Sequence, residues 1–145
     1  MKEEFVIYIR SIGITVILQK RIEEIYEFYE KICPDEITDI FVTDYIKDDV
    51  SREYENLWFF SKKYCMEAKG FTVRDEFDMV PIRKRVVGWD MQKKDYDFKT
   101  ATSKSRITLV FKLLEGVGGT LKAASMNCDY LKDIFLKHII QNLQE

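Results

Sequence analysis

Residues able to do chemistry are few in this chain and widely scattered. Cysteine occurs at Cys33, Cys65 and Cys128, and the one histidine is His138. Three thiols in three different predicted elements match neither a disulfide framework nor the paired spacing of a zinc site. A reactive thiolate needs a base or a cation beside it, and no spacing here sets a cysteine next to His138. Gly116-Val117-Gly118-Gly119-Thr120 is glycine-rich, but a phosphate-cradling loop needs a Lys before its Ser or Thr, between a strand and a helix. This stretch lacks the Lys and falls between two predicted strands, so it reads as a hairpin turn. Asp95 and Asp97, like Asp48 and Asp49, keep polar company that offers no burial to raise a carboxyl pKa. The expectation is a chain with no catalytic residue, no metal site and no cofactor.

Cations are the remaining candidates. Arg83-Lys84-Arg85 is the densest basic run. A solvated surface is its simplest account. Together with Lys62, Lys63, Lys93 and Lys94 it could instead form a face for phosphate or for acidic protein segments. Lys93 and Lys94 would point to opposite sides of one strand, so they cannot both line such a patch. Single-stranded nucleic acid would also want exposed aromatics, and Trp58 and Phe60 are better placed in a core.

The elements that must position these residues are mostly strands. Arg106 to Lys112 alternates apolar with polar at period two, the pattern of a strand with one buried face. Glu115 to Gly119 turns the chain, and Thr120 to Ala124 offers a second strand. Asn127 is placed to cap a closing helix that carries Leu131, Ile134, Phe135, Ile139 and Leu143 near helical spacing. Ile37 to Ile46 is rich in β-branched and aromatic residues and reads as a strand. Lys47 to Glu55 reads as a polar connection. Asn56 to Phe60 and Tyr64 to Ala68 form a hairpin about Ser61-Lys62-Lys63. Phe77 to Ile82 and Val86 to Gln92 are two further strands, with Pro81 at a strand end and Gly88 at a bulge or bend.

Ahead of these strands, Leu18, Ile22, Ile25, Tyr26, Tyr29 and Ile32 recur at three and four, an amphipathic helix ending near Cys33-Pro34. Phe5 to Ile17 reads as helix with a strand as its rival, because Val, Ile and Thr dominate and Gly13 interrupts. If helical, it would join the next segment into one long element.

Composition sets the outer bounds. At 145 residues, 46% hydrophobic and 14% aromatic, the chain can bury a useful core and is too apolar for disorder. Two Pro and six Gly leave no linker composition, which favours a single domain. The net charge of −2 hides an acidic stretch from Asp35 to Val80 followed by a basic one from Pro81 to Lys112. Acidic residues stand where the positive region of a secretory leader would be. Phe5 to Leu18 is shorter than the roughly 20 apolar residues that a membrane span needs. A cytoplasmic protein without a transmembrane segment is expected.

Seven short antiparallel strands followed by a capping helix resemble the pleckstrin-homology (PH) superfold, in particular the bacterial PH-like domains. Leu57-Trp58-Phe59-Phe60-Ser61-Lys62-Lys63-Tyr64-Cys65-Met66 looks like the second and third strands of such domains. Asp78-Met79-Val80-Pro81-Ile82-Arg83-Lys84-Arg85-Val86-Val87 looks like the segment that follows them. The resemblance implies an α+β, mainly β fold: a bent, partly closed antiparallel barrel of about seven strands over residues 36–145, plugged by the C-terminal helix, with residues 1–35 as an N-terminal helical extension. It also implies recognition of a lipid headgroup, a peptide or another subunit. Lipid-binding members place cations in the loop between strands one and two. Here Lys47 to Glu53 is dominated by acids, which argues against a phosphoinositide.

The function expected is a non-enzymatic binding or assembly module, acting through protein–protein contact that includes a homodimer. Self-association would use residues 5–32, with Ile7, Ile14 and Ile17 adding apolar area, and docking of the same segment on the rest of its own chain is the rival account. The alternative is an anionic ligand, membrane lipid or nucleic acid, held by a basic face made of Lys62, Lys63, Arg83, Lys84 and Arg85. Overall acidity argues against nucleic acid. A third class, an enzyme with a deep polar pocket, has no residue to nominate it.

Overall fold

A computed structural model describes residues 1–47, 51–73, 76, 79, 81–97 and 102–144. For residues 45–47, 51, 52, 95–97 and 102–104 it describes the backbone alone. The fold is α+β: two α-helices, seven strands in two antiparallel sheets, and a third α-helix. Two compact units are present, one made of Met1–Val42 and Glu55–Ile82, the other of Thr43–Tyr54 and Arg83–Glu145.

In the first unit, α1 (Glu3–Ser11) and α2 (Val16–Ile32) are separate helices. The single long element expected from Phe5 onward is broken at Gly13, whose φ of 87° lies in the left-handed region that glycine tolerates best. Thr15 then restarts the helix, its side-chain oxygen accepting a hydrogen bond from the Leu18 amide at 3.3 Å. The β-branched residues that made this stretch ambiguous are divided between two roles. Ile9, Ile12 and Ile14 are buried, while Ile7, Val16 and Ile17 are exposed.

Strands β1 (Ile37–Lys47), β2 (Ser51–Ser61), β3 (Tyr64–Ala68) and β4 (Ile82–Arg83) form the first sheet in that order. The expected hairpin is present, with Phe59 opposite Met66 and Phe60 opposite Cys65. Strand β2 begins earlier than expected: residues 51–55, read as part of a loop, are strand. Helix α2 lays Ile22, Ile25, Tyr26 and Tyr29 into the core. Tyr29 stacks on Phe59 with ring centroids 5.3 Å apart, and Tyr26 meets the same ring edge-on at 5.9 Å. From α1, Tyr8 stacks on Phe41, and its hydroxyl accepts from the Val42 amide at 2.9 Å. Trp58 and Phe60 are buried and stacked on each other, as their core assignment expected.

Of the strand expected at Phe77 to Ile82, Phe77, Asp78 and Val80 lie outside the described residues, and β4 holds only Ile82 and Arg83. The chain leaves the first sheet there and enters the second, β5 (Val86–Asp97), β6 (Thr102–Leu113) and β7 (Gly118–Ala124). The described strands thus form a four-stranded and a three-stranded sheet and not one closed barrel. Strand β6 buries Ile107, Leu109, Phe111 and Leu113, the alternation legible in the sequence. The ladder between β5 and β6 shifts register between Val86 and Gly88, the bulge that Gly88 announced.

Helix α3 (Asn127–Ile134) continues as a π-helical turn at Phe135–Ile139 and a 3₁₀ turn at Ile140–Asn142, so the regular helix is shorter than its apolar spacing suggested. It packs on β6 and β7. Asn127 does not cap it. Met126 occupies the cap position, and the Asn127 side chain, already inside the first turn, is drawn into a buried hydrogen bond with Asp44. The last residues tie back to the start of the second sheet, with the Gln144 amide donating to the Val86 carbonyl at 2.8 Å.

Candidate interaction surface

Buried polar groups show first which candidates are structural. Lys84 is 5% exposed and His138 is 4% exposed, and Lys84 Nζ lies 2.6 Å from His138 Nδ1. That hydrogen bond needs a lone pair on one of the two nitrogens, so both cannot be fully protonated there. Lys84 is therefore a core residue and is not presented on a basic surface. Its neighbours Arg83 and Arg85 are exposed. Arg85 binds Glu115 through Nε at 3.0 Å and again through Nη2, and this guanidinium holds the Glu115 carboxyl below the usual carboxylate range. The central cation of the run is thus buried and the third is matched by an acid.

Lys62 and Lys63 are exposed at the β2–β3 turn of the first unit, whereas Arg83, Lys84 and Arg85 belong to the second unit. The turn itself is held by Asp35, whose Oδ2 accepts from the Lys63 amide at 3.1 Å. Lys93 and Lys94 face Ile107 and Arg106 in the β5–β6 ladder, on alternate sides of the sheet.

The other chemical candidates resolve in the same way. No disulfide joins Cys33, Cys65 and Cys128, and the last two are buried. Among the described residues no group of three or more His, Cys, Asp and Glu side chains could hold a metal ion. The Gly-rich stretch is a hairpin turn: Gly116 has a φ of 86°, and a side chain at Gly118 would collide with the Phe111 carbonyl at 2.2 Å. Asp48 and Asp49 lie outside the described residues, as do the side chains of Asp95 and Asp97. Among the described residues, no helix is long and apolar enough to cross a membrane.

Asp44 carries a structural role that sequence reasoning missed. It is fully buried, and its Oδ1 accepts from the Ala124 amide at 3.0 Å and from Asn127 Nδ2 at 2.8 Å. One carboxylate thereby joins the end of β7 to the first turn of α3. The only available signal was an acid within an apolar strand.

Several large apolar side chains are exposed as well. On α1 and α2, Ile7 is 59%, Ile17 80% and Phe28 57% exposed, and Ile32 is half-exposed. Two of the three isoleucines expected to self-associate are thus on the surface, while Ile14, at 7%, fills the core behind the helix break. Phe28 was passed over because it falls among Glu24, Glu27 and Glu30, on the side of α2 opposite its core residues. Its signal was an aromatic side chain standing alone on a charged face. Between Ile17 and Phe28, the same line along α2 carries Arg21 and Glu24. This line is the candidate interaction surface. Compared with protein-family models, with curated proteins and with solved structures, the chain matches none.

Proposed function

We propose that this chain is a non-enzymatic binding module working through protein–protein contact, with the outward line of α2 as its contact surface. The observation that carries the reading is the exposure of Ile17 and Phe28 on one line of a helix whose other side already supplies the core. Large apolar groups held in water gain by being covered, and the gain grows with the area removed from water. Seven strands and a C-terminal helix support a PH-like reading of the architecture, a scaffold that presents surfaces more often than it does chemistry. Three cysteines outside any disulfide support a reducing compartment such as the cytoplasm. An anionic ligand is the weaker reading, because Lys84 is buried and Arg85 is bound to Glu115.

The test is retention at low and at high salt on the immobilised chain, comparing wild type with I17D/F28D. The reading expects one or more proteins, a second copy included, to be held at both salts and released by the double substitution. Retention that disappears at high salt and ignores the substitution would overturn it in favour of the basic residues.

A further inference from the structure

We infer that α2 pairs with α2 of a second copy of this chain, antiparallel, about a two-fold axis that passes between Arg21 and Glu24. The inference rests on α2 being the contact surface and adds what the contact is. Residues 17, 21, 24 and 28 are separated by four, three and four positions, which keeps them within an arc of about 60° along the helix. Along that line the residues read apolar, basic, acidic, apolar: Ile17, Arg21, Glu24 and Phe28, of which Arg21 is half-buried and the other three are exposed.

A two-fold axis at the centre of the line turns this sequence into its own complement. Ile17 faces the partner's Phe28, Arg21 faces the partner's Glu24, and each relation is repeated by symmetry, as an isologous contact requires. On one flank, the exposed Lys20 and the partner's Glu27 are offset by about 3 Å along the helix, which their long side chains can span. A parallel arrangement would set Arg21 against Arg21 of the partner subunit and Glu24 against the partner's Glu24. Like charges thus exclude the parallel register, and unlike charges with covered apolar ends select the antiparallel one. The two helix dipoles also oppose each other in this arrangement.

Arg21 and Glu24 are close enough to meet along a single helix, so the charges alone do not call for a second copy. The apolar ends do. Ile17 and Phe28 stand about three turns apart, and a partner with the same spacing in reverse covers both at once.

The full-length chain tests this by light scattering across a dilution series, with circular dichroism on every variant. Wild type is expected to be a dimer. R21E and E24R, each alone, should raise the dissociation constant about tenfold or more, because each opposes like charges. R21E/E24R should restore the dimer, which a helix merely damaged by substitution would not do. Cross-linking gives an independent geometric readout. Oxidised I17C/F28C should give covalent dimers beyond the wild-type background, whereas I17C alone should not, its two copies lying about 16 Å apart along the helix. A monomeric wild type, or cross-linking by I17C alone, overturns the inference. A monomer that still retains another protein through Ile17 and Phe28 overturns this pairing and leaves the contact surface standing. A monomer that retains nothing overturns both.

Discussion

Asp44 Oδ1 accepts from two donors, a backbone amide and a side-chain amide, both out of contact with water. Replacing it with Ala would remove the buried acceptor that the Ala124 N–H and the Asn127 amide share. A cost of about 2–4 kcal/mol is expected for D44A, and a smaller one for D44N, which keeps an acceptor. Urea unfolding of the three proteins checks the order. Glu67 gives the opposite sign. Burial lifts its carboxyl above the usual value, and Glu55 adds to the rise while Lys69 offsets part of it. Between the ordinary and the raised pKa the folded state holds more proton than the unfolded one, so stability falls as pH rises through that window. E67Q should therefore raise the melting temperature at neutral pH, and the gain should fade as the solution is acidified toward about pH 4. At this scale the sequence was least legible. Neither the partner of Asp44 nor the burial of Lys84 beside His138 leaves a mark in local pattern, because each depends on contacts far along the chain.

Elements were read more faithfully, since periodicity is a local property. The alternation of β6, the β2–β3 hairpin, the Gly88 bulge and the core face of α2 all follow from spacing that burial enforces within one element. Phe5 to Ile17 combines strand-favouring residues with helical burial, and the expected helix forms there with Tyr8 and Ile9 packed in the core. The failure falls where two signals compete: Asn127 is a good cap by type, but a buried acceptor claimed its side chain. The break between α1 and α2 can be tested directly. T15A should lose about 1 kcal/mol through the missing cap. G13A should lose more than T15A does, since a side chain at a φ of 87° is strained. Thermal melts of the two variants, with helix content followed by circular dichroism, check both.

At the scale of the whole molecule, the two units use the chain differently. Every segment of the first lies within residues 1–82, whereas the second joins Thr43–Tyr54 to Arg83–Glu145. The hydrogen bonds of Asp44 span 80 and 83 residues of sequence. Loop closure over such distances delays contact formation, and it cannot begin before both ends exist. During synthesis the chain should therefore acquire its order vectorially. The first unit can consolidate while the ribosome is still translating β6, and the second must wait until the codon for Asn127 has been read and that residue has left the exit tunnel. Nascent chains stalled at successive lengths should develop pulling force in two separate steps. D44A should weaken the later step and leave the earlier one in place.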